Sequence, residues 1–227
     1  MIKFLLIIKK LFYKIGIEMS FVKKKKYVSS IDLNAIDAVE EAWSDEKVIK
    51  AFLSKDMQKF FLDLIGVLKK NNIDFNNKKI VDVGCGTGIL LKLIKENSQG
   101  SRFSGIEFSE NALKIVKRII PEAEVSQFDI YNKFSKTFDI VLCTEVLEHL
   151  LYPEKAIKNL IDCLNAEGVL IITVPDGRND TFEGHINFWS PESWQVFIEN
   201  NCSNLEFQID RTMNNHQIAI IKKNENN

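Results

Sequence analysis

The spacing of apolar residues changes along the chain, and each change marks a new element. Residues 34–70 read as helical. Beyond Ser54, Met57, Phe60, Phe61, Leu64, Ile65 and Leu68 recur at three- and four-residue steps, one stripe set against a core, with Ser54 placed to cap the segment. Asn71, Asn72 and the run to Asn77 break the pattern. Short apolar strands then alternate with helices. Ile80–Val83 is a strand leading through glycines into a helix over Leu90–Glu96, and Phe103–Glu107 is the second strand. Ser109 caps a helix through Ile119 that stops at Pro121, and Val125–Asp129 and Phe138–Cys143 are strands three and four. Pro153 opens a helix to Leu164, and Asn165–Gly168 turns the chain into the nearly all-apolar strand Val169–Val174. Strands lacking a polar face, with helices between them, predict a mostly parallel α/β sheet covered on both sides. The end reads differently. Ser190, Pro191 and Glu192 start a helix to about Glu199, and Leu205–Asp210 and Gln217–Ile221 form a hairpin.

Composition narrows this only a little. A chain of 227 residues with 45% apolar and 27% charged residues suits a single globular domain. Lys plus Arg (30) nearly balances Asp plus Glu (31), so the average surface does not favour a polyanionic partner. Cys85, Cys143, Cys163 and Cys202 form no close pair of the metal-knuckle kind; a reducing, cytoplasmic setting fits. Charge is uneven at one place. Residues 1–30 hold eight lysines against the single acid Glu18, interleaved with Phe4, Leu5, Leu6, Ile7, Ile8, Leu11, Phe12 and Ile15. The lysines interrupt the apolar run before it reaches membrane-spanning length. This arm is expected either to lie on an anionic membrane at its inner face or to pack on the fold or a second copy of the chain, as a homodimer. Residues 31–222 are the expected domain, and 223–227 a polar, frayed tail.

Candidate chemistry begins at Val81-Asp82-Val83-Gly84-Cys85-Gly86-Thr87-Gly88, between a strand and a helix. Glycine permits positive φ and close approach of a ligand, and a helix N-terminus offers backbone N–H groups. The third glycine follows the second by two residues, not the three of the usual dinucleotide fingerprint, and no lysine–serine pair follows. Asp82 suits a cationic amino-acid head group and would be a poor neighbour for a pyrophosphate. Glu107, ending the second strand, can accept ribose hydroxyls, and Asp129, ending the third, can accept from an adenine amino group with Phe128 or Ile130 against the ring.

This stretch resembles the class I S-adenosylmethionine-dependent methyltransferases over about residues 78–175. The resemblance implies a seven-stranded sheet ordered 3-2-1-4-5-7-6 with the last strand antiparallel. It implies S-adenosylmethionine as cofactor, with Asp82, Gly84 and Gly86 on the methionine part, Glu107 on the ribose and Asp129 on the adenine. Cys85, Gly88, Phe108 and Thr144 complete the candidate pocket.

Beyond the fourth strand, Thr144-Glu145-Val146-Leu147-Glu148-His149 puts Glu145, Glu148 and His149 on one face if residues 145–149 form a helical turn. With His185 from the polar loop Pro175–Trp189, these are candidates for a magnesium or manganese site. His149 is alternatively a general base, and a fold-stabilising acid–histidine pair is the third reading. The Glu-Val-Leu-Glu-His-Leu string resembles ubiquinone-biosynthesis O-methyltransferases, and small-RNA 2′-O-methyltransferases share its ligand pattern; neither likeness extends through residues 175–227. The expected reaction is O-methylation of a hydroxylated small molecule, such as a sugar, phenol or quinone precursor. Nucleic acid is disfavoured, because no recognition domain accompanies the fold and basic residues cluster only in the arm. An RNA methyltransferase using the basic arm with Arg178 and Lys222 is the alternative enzyme, and an accessory protein that binds cofactor without turnover is the competing class.

Overall fold

The computed structural model describes residues 33–224. The arm at residues 1–30, with its membrane and dimer expectations, lies outside the described residues. Among the described residues three helices come first: α1 (Ile36–Ala42), α2 (Glu46–Phe52) and α3 (Lys55–Lys70). The single helical stretch expected over 34–70 is therefore broken twice. Each break carries its own cap: Asp45 accepts from the Lys47 N–H at 2.7 Å, and Ser54 accepts from the Met57 N–H at 3.2 Å.

Alternation follows as β1 (Lys79–Val83), α4 (Ile89–Glu96), β2 (Arg102–Glu107), α5 (Glu110–Ile119), β3 (Glu124–Gln127), β4 (Phe138–Thr144), α6 (Pro153–Asp162), β5 (Leu164–Pro175), α7 (Pro191–Asn201), β6 (Glu206–Asp210) and β7 (His216–Lys222). A 3₁₀ turn over Leu147–His149 follows β4. The sheet runs β3-β2-β1-β4-β5-β7-β6, with β7 antiparallel to both neighbours. Fold class and strand order match the sequence reading.

Two boundaries differ from expectation. β3 ends at Gln127, because the Asp129 carboxylate accepts from the Tyr131 N–H at 2.9 Å and closes a turn there. β5 begins at Leu164, which pairs with Phe138 before the register shifts and Ile140 meets Val169. Glu167, at φ 61°, lies inside that irregularity.

The core lies on both faces of the sheet. Alternation in β1 sends Ile80 into one layer, with Leu64, Leu68, Leu90 and Ile94 from α3 and α4. Val81 and Val83 enter the other, with Ile157 and Leu160 from α6 and Trp194 and Ile198 from α7. Among the described residues no helix is long and apolar enough to cross a membrane. The C-terminal ends of β1, β2 and β4 open on one edge, where ligands collect in sheets of this kind.

Candidate functional site

The glycine turn after β1 needs its glycines. Gly84, Gly86 and Gly88 all have positive φ, at 77°, 49° and 77°. A Cβ at Gly84 would stand 2.4 Å from the Val146 side chain, and one at Gly86 would stand 3.1 Å from the Trp43 ring. The turn's N–H groups are less open than a helix N-terminus suggests. Gly84 and Cys85 donate to the Ile106 carbonyl, Gly88 to that of Cys85, and Gly86 to the Glu107 carboxylate at 3.0 Å. What the turn offers a ligand is bare surface and acid side chains.

Two carboxylates are buried beside it. Asp82 is 2% exposed, and its Oδ1 has no hydrogen-bond partner. Burial first, and then the charge of Glu107, push its carboxyl up to about 8. An orphaned buried acid is costly, and a cationic amine would satisfy it. Glu107 is fixed by three N–H donors, those of Gly86, Phe108 and Ser109. Burial raises its carboxyl, and these hydrogen bonds oppose the rise. With about four acceptor positions on a carboxylate, it keeps room for roughly one more donor, fewer than two ribose hydroxyls would need.

The other candidate cofactor residues are dispersed. Phe108 is exposed, whereas Cys85, Thr144 and Ile130 are buried. Phe128 packs against Phe134 in a tilted pair, 4.8 Å between ring centroids. Asp129 sits half-buried just past the end of β3, adjacent in the sheet to β2 and so to Glu107.

Sequence reasoning missed the N-terminal side of this turn. Trp43, at the end of α1, lies over Gly86 and packs on Phe52. It is held there through Glu40, whose carboxylate accepts from the Ser109 hydroxyl and the Glu110 and Asn111 N–H groups at the start of α5. Burial raises the Glu40 carboxyl, but these donors outweigh it and the net shift is downward. Glu40 caps a helix 70 residues away, a partnership that local spacing does not reveal.

The acid–histidine cluster forms from three of its four expected members, without Glu145. The expected helical turn over 145–149 is a 3₁₀ turn that begins only at Leu147, and Glu145 stands outside it with φ 55°. Its carboxylate turns to the Thr173 hydroxyl, 2.7 Å away, and to His216 Nε2 at 3.5 Å. Although burial disfavours a charged imidazole, the contact with Glu145 raises His216 above its ordinary value. His216 was not foreseen, because it enters from β7.

Glu148, His149 and His185 do converge, with ligand-type atoms within 4.8 Å of one another. Glu148 is fully buried, and neither carboxylate oxygen has a hydrogen-bond partner. Burial, and then the charge of Glu145, push its carboxyl well up. His149 Nδ1 lies 3.0 Å from Asn34 Oδ1 and 3.1 Å from the Gly184 carbonyl, and His185 Nδ1 lies 2.5 Å from Asp180 Oδ2. Acceptors at both Nδ1 atoms keep the protons there and leave both Nε2 lone pairs for the cluster, the arrangement that orients metal-binding histidines. Burial and the neighbouring His185 lower the His149 pKa, which keeps it neutral near pH 7. The donor set of one orphaned carboxylate and two free imidazole nitrogens therefore fits a divalent cation.

The loop expected to cover this region is anchored to it. Ile186 and Asn187 donate their N–H groups to the Glu148 carbonyl, and the Asn187 amide donates to the Leu147 and Leu150 carbonyls. Phe182 and Phe188 remain exposed on the loop.

Residues 50–205 match a family described as methyltransferase domain. The ubiquinone biosynthesis O-methyltransferase of Coxiella burnetii (strain Dugway 5J108-111) is 27% identical over 110 residues, 46% of this chain and 46% of the relative. The chain thus spans about half the length of the curated relatives it matches. In fold it is similar to DhpI in its complex with SAH, with a TM-score of 0.67 and 14% identity over 87% of this chain and all of that one. The magnesium protoporphyrin IX methyltransferase of Synechocystis PCC 6803, with bound SAM, has a TM-score of 0.62 and 15% identity over 86% of this chain and 99% of that one. At these identities the structural likeness speaks for the fold.

Proposed function

The chain belongs to the methyltransferase-domain family and to the class I S-adenosylmethionine-dependent superfamily, and from this we propose that it methylates a hydroxyl of a small molecule. One observation carries the cofactor assignment: Asp82 presents a buried carboxylate oxygen without a partner beneath a turn whose three glycines have positive φ. When bound, the cofactor supplies an electrophilic sulfonium methyl group. Asp82 would hold its ammonium and Glu107 a ribose hydroxyl, while Asp129 remains the candidate for the adenine edge. Trp43 closes the turn from the N-terminal side.

The acceptor would lie near Glu148, His149 and His185 under the loop 175–189. Magnesium or manganese held there would supply Lewis-acid polarisation of the acceptor hydroxyl. Glu148 would contribute the charge, and the two Nε2 atoms the neutral ligands. Glu145, engaged by Thr173 and His216, is left to shape the wall between the two subsites. Phenolic and quinone-precursor acceptors suit the exposed Phe182 and Phe188, and the O-methyltransferase names of the relatives support a hydroxyl acceptor.

Titration calorimetry with S-adenosylhomocysteine, followed by transfer of a labelled methyl group to a panel of phenols, catechols and sugars, tests the proposal. Absence of binding would reject the pocket. Binding without transfer to any acceptor would favour an accessory protein.

A further inference from the structure

The proposed cation cluster depends on a residue far from it in sequence. Asn34 lies 115 residues before His149. Its amide is used at both ends: Oδ1 accepts from His149 Nδ1–H at 3.0 Å, and Nδ2 donates to the Gly184 carbonyl at 3.0 Å. That carbonyl is itself 3.1 Å from the same His149 nitrogen. Asn34 therefore supplies one acceptor to the imidazole and fixes the other. Its position is set by the segment that follows, which Glu40 ties to the start of α5 and which ends with Trp43 on the glycine turn.

We propose that Asn34 is a positioning residue that holds His149 in the Nδ1–H tautomer, so that the Nε2 lone pair faces Glu148 and His185. Which imidazole nitrogen carries the proton is decided by the hydrogen bond at the other one. Without Asn34, His149 Nδ1 keeps only the Gly184 carbonyl, which has lost the Asn34 amide donor that aims it, and the form with the proton on Nε2 becomes competitive. In that form Nε2 can neither ligate a cation nor take a proton from an acceptor. The inference adds to the cluster reading above but does not need a cation to be tested.

The experiment is ¹⁵N-detected ring NMR on protein labelled at histidine, prepared with chelator at pH 8, with His149 assigned from a His149→Gln spectrum. Wild type is expected to show a protonated Nδ1 and an unprotonated Nε2. Asn34→Leu should shift the population measurably toward the opposite tautomer. Asn34→Asp, which keeps an acceptor oxygen, should retain the wild-type pattern. If the leucine variant fails to give a native melting transition, Asn34→Ala replaces it. S-adenosylhomocysteine affinity should stay within about twofold in a variant that has lost only the tautomer. An unchanged tautomer in Asn34→Leu, an equal shift in Asn34→Asp, or an Nε2–H wild type would each overturn the proposal. Failure of wild type to bind manganese, with the tautomer shift intact, would reject the cation reading alone.

Discussion

Replacing Asp82 by asparagine should stabilise the cofactor-free protein while weakening the cofactor. The carboxyl is pushed from an ordinary 3.8 up to about 8 by burial and by Glu107. Between those values the unfolded chain has lost this proton and the folded protein still holds it. The folded state then binds more protons, and stability falls as pH rises. The penalty is absent below about pH 4 and complete above about pH 8. A span of about four pH units, at 1.4 kcal/mol each, sets a ceiling of about 6 kcal/mol. Relaxation and water entry reduce such costs, so a gain of about 3 kcal/mol for Asp82→Asn at pH 8.5 is the expected size. Urea unfolding at pH 5 and 8.5 measures it, with the difference between variant and wild type shrinking at the lower pH. Binding reports the same group from the other side. At pH 7 the wild-type carboxyl is largely protonated and must ionise to meet an ammonium, so cofactor binding should release close to one proton. Calorimetry in two buffers of different ionisation heat reads that release, and the asparagine variant should show none and bind at least about tenfold more weakly. Equal pH dependence of stability in the two proteins would refute the argument.

Gly86→Leu should abolish S-adenosylhomocysteine binding in calorimetry, because a side chain there meets the Trp43 ring and must adopt φ 49°. If the cluster holds a cation, EDTA should cut transferase activity by about a hundredfold or more, as removal of several kcal/mol of Lewis-acid stabilisation requires, and manganese should restore it. Glu148→Gln should make the enzyme insensitive to both additions at a low rate, whereas indifference of the wild type to chelation would return His149 to the role of base. Glu40→Ala removes three donors' acceptor at the start of α5, and should lower stability by about 1 kcal/mol, or roughly 2–4 °C in a thermal melt.

The fold was legible wherever the signal is local. Ser54, Ser109 and Ser190 cap the helices they were expected to cap, because a hydroxyl three residues before a free N–H is a short-range device. The apolar strands and the terminal hairpin followed from periodicity in the same way. The site was legible only in part. Asp82, Glu107 and the glycines lie within 26 residues of one another and could be read as a group. Asn34, Glu40 and Trp43 reach the site from α1 and its flanks and His216 from β7, and no spacing rule links them to their partners. Glu145 was misplaced for a different reason. A helical face was assumed for residues 145–149, whereas the Glu145 N–H donates to the Thr173 carbonyl, its backbone is left-handed, and its carboxylate meets Thr173 and His216.

Cys85 sits between two of the glycines, in the turn assigned to an alkylating cosubstrate. A thiolate there would be a nucleophile beside an electrophile, exposed to self-inactivation. Cys85 is 7% exposed, and burial followed by the charges of Asp82 and Glu107 pushes the thiol well above its ordinary value. Burial first, with the neighbouring acids adding to it where they are ionised, thus keeps the nearest sulfur protonated and inert, so the chemistry is reserved for the incoming acceptor.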